Sequence, residues 1–159
     1  MVSLKWCAKQ KGGIKLIDPN ENIALSYLKM SNDALGTMNR EKKYNLTFAI
    51  SACYYSMYYS LYSILMKIGI KSEIHSCTLE IMKSLLTEFY SEENFRMINK
   101  SFNLRNISQY YPNSLISDKE INLIFSYAPL FFNKSRNILE KLDNSEIEKL
   151  RKKLKWLYS

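Results

Sequence analysis

The chain has 159 residues and carries 23 Lys and Arg against 15 Asp and Glu, a formal net charge of +8. At that length one domain over residues 1–159 is expected, with a core of its own. Four Gly and three Pro, against averages of roughly 7% and 5%, speak for a mostly helical protein with short connections. Cys7, Cys53 and Cys77 are odd in number and include no Cys-x-x-Cys pair. They argue against a disulfide framework or a zinc site and point to the reducing cytoplasm, and residues 1–10 lack the apolar run of a signal peptide.

Taken in chain order, residues 1–18 form a basic N-terminal arm with Trp6 and the turn Gly12-Gly13, which either touches RNA or covers the bundle. The first predicted helix covers residues 19–38, opening at Pro19 with Ile23, Tyr27, Met30 and Ala34 at helical spacing. A second covers 42–68 and ends at Gly69, a residue suited to a left-handed C-terminal cap. The third covers 75–89 and turns Leu79, Met82, Leu86 and Phe89 inward. The fourth covers 92–110 and stops ahead of Pro112, because the residue before a proline is disfavoured in the helical region. A fifth spans 118–142 with a kink at Pro129. Residues 145–159 supply a C-terminal amphipathic helix through Ile147, Leu150, Leu154 and Leu157. No stretch reads as a strand. The expected fold is all-α, an up-and-down helical bundle of five to six helices.

Residues 45–66 run for 22 positions without a charged side chain, yet 11 of them are polar: five Tyr, four Ser, Asn45 and Thr47. About 20 apolar residues span a bilayer, but hydroxyls on nearly every turn need partners that lipid does not offer, so no membrane span is expected. At 3.6 residues per turn the stretch has three faces. Phe48, Ala52, Tyr55, Tyr59, Tyr62 and Met66 make an aromatic one; Ile50, Met57, Leu61, Ile64 and Leu65 an aliphatic one; Ala49, Cys53, Ser56, Ser60 and Ser63 a small one. A helix usable all round belongs at the centre of a bundle, with its small stripe letting a neighbour or a second subunit approach closely.

The excess charge sits at the ends: +4 over residues 1–43, +1 over 44–113 and +3 over 114–159. Ser145 and Glu148 have capping-box spacing, and Arg151, Lys152, Lys153 and Lys155 complement the dipole of their own helix. That face is either solvated or a nucleic-acid patch. A second basic segment lies between Glu93 and Asp118, where Arg96, Lys100 and Arg105 occur without an acidic residue. Phe95, Ile98 and Phe102 form the inward stripe of the fourth helix, and Arg105, Asn106 and Gln109 continue it. An inward guanidinium either pairs with a Glu of another helix or offers its fixed fork to a phosphate, flanked here by Tyr110.

Three stretches together resemble the HEPN family of small helical proteins found in prokaryotic RNase and toxin modules. The first is Ser51-Ala52-Cys53-Tyr54-Tyr55-Ser56-Met57-Tyr58-Tyr59, similar to a paired-tyrosine motif followed by a small residue and an aromatic. The second is Gly69-Ile70-Lys71 leading to His75. The third is Arg105-Asn106-Ile107-Ser108-Gln109-Tyr110, which looks like the family's Arg-x-x-Ser-Asp-Tyr variant with Gln109 in place of Asp. The resemblance covers residues 19–142.

It implies a homodimer whose two Arg-bearing helices line one cleft, and pairing with a minimal nucleotidyltransferase as a two-gene or toxin–antitoxin module. Nuclease members carry His after Arg and four intervening residues, and cleave RNA without metal; here that position is Tyr110, a poor base at neutral pH. Three functions are compatible with these residues. One is a binding protein holding RNA or a nucleotide on Arg105, Asn106, Gln109 and His75, with Tyr55 and Tyr59 stacking bases. Another is an active metal-independent RNase toxin using Arg105 and Tyr110. The third is a scaffold that docks the nucleotidyltransferase. None of them calls for a metal or a cofactor.

Overall fold

The computed structural model describes residues 2–156; the six predicted helices recur in order, the third ending at Leu85 and not at 89, and a short N-terminal helix and two short strands are added. The elements are α1 (Leu4–Lys9), β1 (Lys15–Leu16), α2 (Glu21–Glu41), α3 (Leu46–Ile68), β2 (Ile70–Lys71), α4 (His75–Leu85), α5 (Glu92–Tyr110), α6 (Asp118–Lys141) and α7 (Asn144–Lys155). The protein is an all-α bundle of seven helices among the described residues, with one short two-stranded sheet. Side-chain caps start most of these helices. Asn20, Asn45, Ser91, Ser117 and Asp143 each accept a hydrogen bond from a backbone N–H three residues on, satisfying donors that a helix N-terminus leaves over. Asp143, one turn's reach ahead of Glu146, opens α7 in place of the expected Ser145 cap. Leu157, the last expected apolar position of that helix, lies outside the described residues.

α3 is the central helix. It packs against α2, α5, α6 and α7, and from Ala49 to Met66 only Tyr55 and Tyr59 escape full burial. Its small stripe seats neighbours of the same chain. The Ser31 hydroxyl of α2 donates to the Ser56 carbonyl at 2.7 Å and lies 2.7 Å from the Ser60 hydroxyl, and the Cys53 thiol meets the Ile124 carbonyl of α6 at 3.4 Å. Serines let the two backbones come close; the Ser60 and Ser63 hydroxyls are paired, whereas that of Ser56 is buried without a partner. The first turn of α3 departs from the expected aromatic face: Phe48 is exposed, as is Leu46 beside it. No helix among the described residues is long and apolar enough to cross a membrane.

Two expectations are corrected by this architecture. A strand pair does exist, with Lys15 opposite Lys71 and Leu16 opposite Ile70; two-residue strands are too short to show a periodicity. Within the N-terminal segment Ser3 caps α1, and a turn at Gly12, in the left-handed region at φ 76°, brings the chain back onto Glu73. Finally, Cys7 and Cys77 are joined in a disulfide with Cα atoms 5.7 Å apart. Their separation of 70 positions in the sequence hides a pairing that the fold creates by laying α1 on α4. With that bond in place, cysteine usage no longer argues for a reducing compartment.

The turn after α3 sets the path of the chain into α4. Gly69 takes φ 81° and closes α3 by donating to the Leu65 and Met66 carbonyls. Arg151 of α7 binds the same corner, its Nη1 lying 2.8, 2.9 and 3.0 Å from the carbonyl oxygens of Ile17, Ile68 and Gly69. It therefore satisfies the C-terminus of α3 and not the dipole of its own helix. From this corner the chain passes through β2 and enters α4 at His75.

Candidate functional site

α5 lies along α3 and carries its inward stripe from apolar to polar over its last two turns. Ile98 and Leu104 are buried, whereas Arg105, Asn106 and Ser108 are half-buried and Gln109 and Tyr110 exposed. Of the three cations between Glu93 and Asp118, two are neutralised: Arg96 by Glu93 at 3.7 Å and Lys100 by Glu120 at 2.7 Å. Arg105 makes no ion pair among the described residues.

Neutral groups hold it instead. Its Nη1 donates to Asn106 Oδ1 at 3.0 Å and its Nη2 to the Tyr55 hydroxyl at 3.2 Å, while Nε is buried without a partner. The guanidinium carbon stands 5.6 Å from the ring centre of Tyr55 and 5.8 Å from that of Tyr110. Aromatic faces attract the cation without cancelling its charge. One turn on, Gln109 Nε2 donates to Ser51 Oγ at 2.9 Å, and Ser51 donates to the Thr47 carbonyl, which pins the end of α5 to the start of α3. Gln109 thus has a structural bond within the chain.

His75, the single histidine, comes to the same place from the start of α4. Its ring lies flat on Tyr58 with centroids 4.3 Å apart, and edge-on to Tyr55 at 6.2 Å. Its Nδ1 is 2.6 Å from the Tyr54 hydroxyl. Burial, and then the charge of Arg105, hold the imidazole pKa below its ordinary value. Burial pushes Tyr54 far up and Tyr58 up to about 12, so both stay protonated. Tyr59 stacks on Tyr55 at 5.4 Å and is half-buried.

The structure therefore brings Arg105, Asn106, Tyr110, Tyr55, Tyr59 and His75 into one neighbourhood, with Gln109 at its edge. The sequence reading missed Tyr54 and Tyr58. Their spacing of four, continued by Tyr62, was the available signal for a second aromatic stripe on α3. Among the described residues no group of three or more His, Cys, Asp or Glu is placed to hold a metal ion.

A family model described as HEPN domain matches residues 22–138, which covers α2 to α6 almost completely. α1, β1 and α7 fall outside it. No curated protein matches the chain.

Proposed function

The chain belongs to the HEPN domain family, and on that premise we propose that it acts as a homodimer holding RNA or a nucleotide in a cationic cleft between two α5 helices, within a prokaryotic toxin–antitoxin or nucleotidyltransferase-paired module. The observation that carries this reading is the unneutralised Arg105, set between tyrosines and an amide while its two neighbouring cations are paired. A half-buried cation without a carboxylate is costly unless an anion completes it, and a guanidinium fork suits a phosphate. Tyr55, Tyr59 and Tyr110 add ring faces on which bases stack. The test is fluorescence anisotropy with a labelled mixed-sequence single-stranded RNA, together with sedimentation. Dimeric wild-type protein that binds the RNA, and an equally dimeric Arg105→Ala protein weakened at least tenfold, is the expected pair of results. Equal binding by both proteins removes the reading.

A second reading, metal-independent cleavage of RNA, draws support from His75, which lies against Tyr55 as Arg105 does. It requires a ring nitrogen able to take a proton from a ribose hydroxyl. RNA cleavage that survives excess EDTA and disappears in Arg105→Ala is its signature; RNA left intact by the wild type returns the weight to binding.

A further inference from the structure

The hydrogen bond between Tyr54 and His75 decides which of these two roles the imidazole is able to play. Tyr54 is fully buried, and among the described residues its hydroxyl has Nδ1 of His75 as its one hydrogen-bond partner, 2.6 Å away. If Nδ1 carried the proton and donated to that oxygen, the phenolic hydrogen would be left buried with no acceptor, a penalty that proteins avoid. Donation from Tyr54 to Nδ1 satisfies both groups. A neutral imidazole whose Nδ1 accepts must carry its hydrogen on Nε2. That second nitrogen has no partner among the described residues and does not belong to the enclosed, unpaired atoms, so it is open to solvent.

We infer that Tyr54 is a positioning residue that locks His75 as the Nε2–H tautomer, and that His75 donates this hydrogen bond to the same phosphate that Arg105 binds. The inference rests on the Arg105 reading above and deepens it. Tyr55 is the shared wall: the guanidinium lies 5.6 Å and the imidazole 6.2 Å from the centre of its ring. The pair then combines a charged fork with a neutral N–H donor. It leaves no imidazole lone pair for proton abstraction, because the one on Nδ1 is taken by Tyr54. The site holds a phosphodiester without the base that cleaving it by this route requires.

The single histidine makes the test direct, since a long-range proton–nitrogen correlation spectrum of the labelled protein at about pH 7.5, above the ordinary imidazole pKa, contains one imidazole. The expected spectrum shows Nδ1 unprotonated and Nε2 protonated, with Nε2 shifting when a short single-stranded RNA is added. Tyr54→Phe should give a mixture of tautomers. For binding, the double variant Tyr54→Phe/His75→Phe keeps ring packing and leaves no orphaned hydroxyl, and should bind the RNA roughly tenfold more weakly than wild type. A protonated Nδ1 in the wild type overturns the lock. Unchanged affinity in the double variant, alongside loss in Arg105→Ala, overturns the donor role and leaves the Arg105 reading standing. A wild type that binds no RNA removes that reading and the donor role with it.

Discussion

Tyr58 lies face to face with His75, ring centroids 4.3 Å apart and planes 12° from parallel, so the imidazole is clamped on α3 before any ligand arrives. Its half-burial there and the nearby Arg105 charge both favour the neutral ring. The folded-state pKa is therefore below the ordinary 6.5, and the unfolded chain binds more protons once the pH falls below that value. Stability should be level above it, as far as this group is concerned, and should decline as the pH falls from about 6.5 toward the folded pKa. Urea unfolding followed across this range measures the slope. Tyr54→Phe/His75→Phe should flatten it, while Glu73, Glu88 and Glu120, whose pKa values are lowered by lysine partners, act only further into acid.

The seam between α2 and α3 gives a second expectation. Ser60 is completely buried with its hydroxyl 2.7 Å from that of Ser31, so no space is left for a larger side chain. Ser60→Leu should cost about 1–3 kcal/mol or more by overpacking. Ser31→Ala should cost about 1 kcal/mol through the lost hydrogen bond. Denaturant midpoints separate the two; a neutral Ser60→Leu would mean that the helices do not pack this closely.

How far the sequence anticipates this molecule depends on the range of the interaction involved. α5 has the bounds 92–110 that the apolar stripe and Pro112 suggest, and Arg105 lies on the inward side that helical spacing assigns it. These are local properties of one helix. The neutralisation of Lys100 by Glu120 and the docking of Gln109 on Ser51 join residues 20 and 58 positions apart, and no periodicity carries such pairings. His75 illustrates the limit most clearly. Its place at the start of α4 was legible, but its bond to Tyr54 depends on the reversal through Gly69 and β2, which returns the chain beside α3.

The Cys7–Cys77 bond ties α1 to α4, one turn from His75. It closes a long loop, and removing it by Cys7→Ser or by reductant should cost about 2–4 kcal/mol in thermal or urea unfolding. Thiol labelling provides an independent check. Cys7, Cys53 and Cys77 are all buried, so the thiols are counted in denaturant, where the oxidised protein should show one reactive thiol and the reduced protein three. Fast labelling of all three cysteines without reductant would show that the bond is not formed in solution.

Charge and geometry at Arg105 are separable by salt. A guanidinium that neutralises a phosphate releases counterions, so Arg105→Ala should lower the magnitude of the slope of log affinity against log salt by about 0.7 for each phosphate that Arg105 neutralises on a single strand. Arg105→Lys keeps the charge on a flexible stem and loses the fork that now engages Tyr55 and Asn106 together. Its salt slope should therefore stay near that of the wild type while the affinity falls at every salt concentration, a pattern that binding titrations with the same single-stranded RNA detect directly. If Arg105→Lys instead binds as tightly as the wild type, the site reads charge alone, and the fixed orientation supplied by Tyr55, Asn106 and Tyr110 contributes nothing to recognition.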